Sequence, residues 1–425
     1  MTQANLLRLE CIRCGTPTGP EHLFTGCPLC AARNEHSNLT TVYDLDSARP
    51  AFAAEALAQQ PPGLWRYDAL LPFAAHEAVT LREGGTALVE VPRLARHLGL
   101  RRLWVKDESR NPTWSFKDRS ASVGVTHARS LNKPALVVSS TGNAAAAAAA
   151  YARRAGLPCI VLVTKSVEAI MGAFVRAYGA LVVATETKSD RWVLMRHCVE
   201  AWDCYPAGGF SSPPIGGNPY MIDAYKSIGF EMWEQLGRRQ PDWVFGPTGY
   251  TNAMYGIFKA FNELKAMDLV EAGPRMAVAE AYGSLSKAIA EGANVVSAAP
   301  VDHPTVAFSM GTAQNAYHGL VTVRESGGLA THVFDEAILA AQKLLAESEG
   351  LFGETASATG LAALIQRLDE GLVDRDAEVV ILHTSSGLKS LGVTADLNAK
   401  APLAGDVPAF ERILREQYGY TPHGA

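Results

Sequence analysis

Three features of the sequence predict an α/β protein of more than one domain, preceded by a small cysteine-rich segment. Short β-branched runs alternate with helix-like stretches along most of the chain, as in folds that layer helices on largely parallel sheets. The 425 residues are long for a single hydrophobic core. Four of the seven cysteines lie within the first 30 residues, where the Gly- and Pro-containing sequence has little else with which to build a core.

Strands are expected at residues 103–106, 135–138, 159–163, 181–184, 243–245, 276–278 and 378–383, each short and rich in β-branched or aromatic side chains. Between them, residues 144–155, 251–267, 335–348 and 357–368 read as helices. The alanine run 144–150 is low in complexity, yet alanine is the strongest helix former and its small side chain permits close packing. A tightly packed helix is therefore expected there. Residues 38–80, with Pro61-Pro62-Gly63, read as an arm or linker. Ligands of such sheets bind beyond the carboxyl ends of the strands, which is where the polar motifs fall.

Composition narrows the class. Apolar residues make up 48% and charged residues 19%, ordinary for a soluble globular protein. The net charge of −5 offers no basic footprint for nucleic acid or an anionic membrane. No apolar run approaches the roughly 20 residues of a membrane span. The N-terminus lacks the plan of a signal peptide, so a cytoplasmic location is expected.

Cys11-x-x-Cys14 and Cys27-x-x-Cys30 are separated by 12 residues, with Gly15 after the first pair and Pro28 inside the second. This is a poor disulfide framework and a good tetrahedral zinc set, closed by four thiolates without His22 or His36. A structural zinc is expected; four unrelated buried cysteines, or paired redox thiols, are the alternatives.

The segment Asn111-Pro-Thr-Trp-Ser-Phe116-Lys117-Asp118-Arg119 follows a predicted strand and leads into a helix. A lysine that carries a carbonyl cofactor needs a partly neutral amine, which burial or nearby cations favour. Read alone, Lys117 is more simply an ordinary solvated lysine at a helix start. The segment closely resembles the cofactor-lysine motif of threonine synthases, within the fold type II pyridoxal-phosphate enzymes (tryptophan synthase β-like). The resemblance extends from about Leu81 to Lys389. It implies that Lys117, beside Phe116, carries pyridoxal 5'-phosphate and moves substrate protons.

Other motifs follow the same family. Glu83-Gly-Gly-Thr86 is similar to its Glu-Gly-x-Thr, placing Thr86 at the substrate. Ser140-Thr141-Gly142-Asn143 looks like the loop that holds the substrate carboxylate, and hydroxyls with N–H groups at a helix start suit an anion; the same residues also make good helix caps. Asn143 by analogy also meets the cofactor's ring hydroxyl. Gly246-Pro-Thr248-Gly249-Tyr250-Thr251-Asn252 precedes a helix and suits a phosphate, although a plain strand–helix turn would look the same. His383-Thr384-Ser-Ser-Gly-Leu-Lys389 resembles the stretch whose threonine faces the pyridine nitrogen, while Thr384 could also be a mere strand-end residue.

The resemblance divides the chain into a zinc-ribbon-like segment (1–37), an arm (38–80), a large cofactor-binding domain (81–132 and 228–425) and a small α/β domain (133–227), with the cofactor between the last two. A homodimer is expected. Within Asn218-Pro-Tyr-Met221-Ile-Asp-Ala-Tyr225-Lys226, Met221 stands where the family's phosphate-gripping arginine is expected, leaving Asn218 and Lys226 as candidate substrate ligands. The expected reaction is threonine synthesis from O-phospho-L-homoserine. The alternatives are a serine/threonine ammonia-lyase or replacement enzyme on an unphosphorylated amino acid, and a non-catalytic binding protein on this scaffold.

Overall fold

The computed structural model describes residues 5–165, 169–393 and 402–421. The larger of its sheets has six strands in the order β12-β11-β10-β13-β5-β4. These are β4 (Leu88–Glu90), β5 (Arg102–Asp107), β10 (Trp243–Pro247), β11 (Arg275–Glu280), β12 (Leu329–His332) and β13 (Glu378–His383). All neighbours run parallel except β4, which pairs antiparallel with β5 at the edge. All six residues of β13 are buried, as a central parallel strand covered on both faces requires.

The smaller sheet, order β8-β7-β6-β9, is fully parallel: β6 (Leu136–Ser139), β7 (Cys159–Thr164), β8 (Leu181–Thr185) and β9 (Tyr205–Pro206). A third, antiparallel sheet joins β1 (Leu6–Cys11), β2 (Pro17–Thr18) and β3 (Leu39–Tyr43). Residues expected to begin an arm thus complete the cysteine segment's own sheet, because β1 needs β3 as its second partner.

The helices that bear on the site are α1 (Lys117–Ser130), α2 (Asn143–Arg154), α3 (Ala169–Ala177), α4 (Pro219–Asp223), α5 (Lys226–Gln235), α6 (Asn252–Ala266) and α7 (Thr355–Asp369). The alanine run forms α2, whose residues 145–152 are all buried, as a stretch apolar all round should be. Met1–Lys389 forms one compact unit and Ser390–Ala425 a second. The latter carries a helix, Val407–Tyr418, capped by Asp406, whose carboxylate accepts the Ala409 N–H at 2.7 Å. Among the described residues, no helix is long and apolar enough to cross a membrane.

Candidate active site

The loop between β5 and α1 is shaped by its own polar side chains. Arg119, fully buried, donates to Glu108 and Glu231, each at 2.7 Å, and Lys106 donates to Glu231 at 2.7 Å. The two cations hold the Glu231 carboxyl well below its usual range, against the burial that would raise it. The Asn111 side-chain carbonyl accepts the Gly84 N–H at 2.9 Å. Asp118 accepts the Thr113 N–H and hydroxyl, while burial pushes its carboxyl up to about 7.

Lys117 is the exception. It is half-buried, with Nζ 3.4 Å from the Tyr225 hydroxyl and 4.4 Å from the Phe116 ring centroid. Among the described residues no carboxylate lies within ion-pair distance of it. A narrow cavity of about 20 Å³, the room of one water molecule, opens beside it between Ala121, Gly124, Leu136, Ala144 and Met221. Met221 also packs on Gly124, where an added Cβ would stand 2.9 Å from its sulfur.

From the loop after β6, Ser140, Thr141 and Gly142 lead into α2, and Ser140 Oγ accepts the Gly142 N–H at 3.2 Å. Asn143 opens the helix; its carbonyl oxygen accepts from Lys389 Nζ at 2.6 Å and its amide donates to Glu354 at 2.7 Å. Glu354 also receives the Ser385 and Ser309 hydroxyls. Burial lowers the Lys389 ammonium to about 8, opposed by the charges of Glu354 and Asp118. At the end of β13 the Thr384 hydroxyl lies 2.8 Å from that of Ser357, which also accepts the Ser385 N–H at 2.9 Å.

The loop after β10 reaches α6 through Thr248, Gly249, Tyr250 and Thr251. Thr251 sits in the left-handed region (φ 63°), its N–H held by the Thr248 hydroxyl and its own hydroxyl donated to Asn315 at 2.8 Å. The first turn of α6 leaves N–H groups with no intrahelical partner, at the positive end of the helix dipole. Gly246 has a packing reason to be glycine, since a Cβ would meet Met254 Sδ at 2.5 Å. The Asn252 side chain faces elsewhere, to Gly216 O at 2.8 Å and His318 Nε2 at 3.0 Å; burial lowers His318 to about 4, so that imidazole is neutral.

Three expected substrate ligands are otherwise engaged. The Thr86 hydroxyl donates to Glu108 at 2.5 Å inside the buried charge cluster. Asn218 caps α4, accepting the Tyr220 N–H at 2.9 Å and donating to the Tyr205 hydroxyl at 2.6 Å. Lys226 is fully buried, with Glu263 at 3.0 Å and Asp223 at 3.3 Å, under the Tyr43 ring. Asp223 and Glu263 thus match its charge. Glu231, Tyr225, Glu354 and Ser357 were not foreseen. Glu354 and Ser357 lie outside the motifs read in the sequence, and Tyr225 and Glu231 carry no signal there.

The four cysteine sulfurs lie within 4.8 Å of one another, Cys11 to Cys30 at 3.6 Å and Cys14 to Cys27 at 3.8 Å. Four Zn–S bonds of about 2.3 Å in a tetrahedron would set sulfurs about 3.8 Å apart, whereas a disulfide needs about 2.05 Å. Cys11, Cys27 and Cys30 are buried against Leu23, Tyr220 and Val123, so the module packs on α4 and α1.

The pattern of a family described as "Pyridoxal-phosphate dependent enzyme" matches residues 79–385. A "Threonine synthase" of Methanosarcina acetivorans is 36% identical over 400 residues, 92% of this chain and 94% of that one. Another, of Methanocaldococcus jannaschii, is 33% identical over 415 residues, 96% and 99% of the two chains. Among solved structures, maize serine racemase superposes with a TM-score of 0.62 at 21% identity, covering 73% of this chain and 91% of that one. A fungal L-serine ammonia-lyase from Rhizomucor miehei also gives 0.62, at 19%, covering 73% and 96%. These last two establish the fold. The donor set fits pyridoxal phosphate: a lysine amine without a counter-ion, a helix start for an anion, and a hydroxyl pair at a strand end for a ring nitrogen. The chain belongs to the pyridoxal-phosphate dependent enzymes of fold type II, in the threonine synthase family.

Proposed function

We infer that the enzyme makes L-threonine from O-phospho-L-homoserine, releasing the γ-phosphate and adding water at Cβ. The observation that carries this reading is Lys117: an amine with no carboxylate within ion-pair distance among the described residues, facing a cavity shared by α1, α2 and α4. Bound pyridoxal phosphate would supply the electron sink that acidifies substrate protons. Lys117 takes and returns protons at Cα and Cβ. The start of α2, with Ser140, Thr141, Gly142 and Asn143, receives the substrate carboxylate through N–H groups and hydroxyls. Thr248, Gly249, Tyr250, Thr251 and the backbone of Asn252 hold the cofactor phosphate at the start of α6, and Gly246 gives the loop its close packing. Thr384, backed by Ser357, offers the ring nitrogen a neutral hydroxyl. That is a weaker partner than a carboxylate, one that suits elimination and replacement more than transamination.

The cysteine cluster holds one structural zinc, closed by Cys11, Cys14, Cys27 and Cys30. This reading rests on the sulfur spacing and is checked by elemental analysis. Thiols kept for a metal suit the reducing cytoplasm, and the family analogy supports a homodimer. Met221 favours a second reading, an ammonia-lyase or replacement enzyme on an unphosphorylated amino acid. Phosphate and threonine formed in equal amounts from O-phosphohomoserine would support synthesis. Ammonia from serine or threonine, with no phosphate released from the phosphorylated substrate, would favour the second reading.

A further inference from the structure

Trp114 lies within the lysine motif, and its backbone is left-handed, with φ 60°. Only glycine enters that region without steric cost, and a bulky side chain there is an outlier. The backbone has its own reasons for the conformation. Trp114 N–H donates to Asn111 O at 2.7 Å, Trp114 O accepts the Ser386 N–H at 3.1 Å, and Ser115 bridges to Ser385. Glycine would make all of these contacts with less strain, so the indole needs a separate explanation.

The indole is 46% exposed, so loop packing does not supply one. Its partner does. The ring lies flat on Phe174 of α3, centroids 5.3 Å apart and planes 8° from parallel. Helix α3 follows β7 of the smaller sheet, whereas the lysine loop follows β5 of the larger, so the stack spans the two layers. Phe174 is held in turn by Tyr178 (5.2 Å) and by Lys389, whose Nζ lies 5.6 Å from the ring while binding Asn143. One aromatic pair thus touches the loop of Lys117, the helix across the cleft and the Lys389–Asn143 contact.

We propose that Trp114 is a positioning residue whose stack on Phe174 holds α3 of the smaller sheet against the lysine loop, fixing the cleft in which Lys117 and Asn143 act. Hydrogen exchange, melting temperature and steady-state kinetics on the holoenzyme test it in Trp114→Gly, Trp114→Phe, Phe174→Ala and the double variant Trp114→Gly/Phe174→Ala. In Trp114→Gly the melting temperature holds or rises, because backbone strain is relieved. The α3 amides exchange roughly two- to tenfold faster and KM rises by a similar factor, the scale of one aromatic pair. Trp114→Phe recovers most of both, and the double variant is no worse than either single one. The kinetic arm rests on the proposed threonine synthesis: a looser cleft also releases more ammonia per phosphate, as O-phosphohomoserine plus water gives 2-oxobutanoate, ammonia and phosphate. Wild type that frees no phosphate would defeat that functional reading, while the exchange arm still decides the stack. Unchanged α3 exchange in Trp114→Gly, or additive losses in the double variant, would overturn the proposal, as would a fall in melting temperature matched by an equal loss in every kinetic constant.

Discussion

On one side of the cavity beside Lys117, residues 111–119 use Asn111, Thr113, Asp118 and Arg119 to bind one another or the buried carboxylates Glu108 and Glu231, leaving only the lysine amine facing the cleft. On the other side, residues 218–226 use Asn218 as a helix cap and Asp223 and Lys226 in a buried ion network with Lys259 and Glu263, leaving Met221 and Tyr225. Both walls fix their backbone with internal polar contacts. They differ in what they present: a lysine from the first, a thioether and a phenol from the second. On the proposed reading, the first wall supplies the cofactor lysine and the second meets the substrate.

The largest test of this contrast is Lys117→Ala. Turnover should fall by at least about 10²- to 10⁴-fold, the usual weight of a positioned acid–base group, with loss of the cofactor's visible absorbance and little change in melting temperature. Retained absorbance and activity would mean that another group holds the cofactor. Next comes Arg119→Met, which strands Glu108 as a buried carboxylate and leaves Glu231 with Lys106 alone, and should cost about 3–5 kcal/mol in urea unfolding. A loss under about 1 kcal/mol would show that the cluster does not hold the loop.

Met221→Arg probes the second wall. One charged hydrogen bond to a substrate phosphate, about 1.5–3 kcal/mol, should raise efficiency on O-phosphohomoserine ten- to a hundredfold relative to unphosphorylated amino acids. If wild type already uses the phosphorylated substrate well and the variant gains nothing, another group binds its phosphate. The smallest effect concerns Lys389. Its folded-state value of about 8 lies below its ordinary 10.5, so its charge, and its hold on Asn143, is lost above pH 8. Activity should descend there by about tenfold by pH 9, and Lys389→Arg should carry the limb to higher pH. For stability the sign is opposite. Between pH 8 and 10.5 the unfolded chain binds the extra proton, so this group's contribution to stability grows with pH in that window.

What could be read from sequence was local. Strands β5, β7, β10, β11 and β13 stand out because burial on both faces leaves continuous apolar runs. By contrast, β4, β9 and β12 are two to four residues long and take their identity from a neighbour. Strand β3 was hidden in an apparent linker because its partner lies more than 25 residues back, in β1. At the site, Lys117 announces itself through nine contiguous residues. Tyr225 lies 108 residues from it in sequence, and Glu354 lies 211 from Asn143, so only the fold brings them together. For Lys226, a lone lysine in sequence gives no sign of the Glu263 carboxylate that pairs with it, 37 residues on.

The central claim is that Lys117, and not another buried lysine, carries the cofactor. Borohydride reduction of the holoenzyme, followed by peptide mapping, tests it directly, because reduction fixes pyridoxal phosphate covalently to the lysine that holds it. The account predicts one pyridoxyl group per chain, on the peptide containing Lys117. Label on Lys106, Lys226 or Lys389 instead, or a holoenzyme from which reduction fixes none, would contradict it.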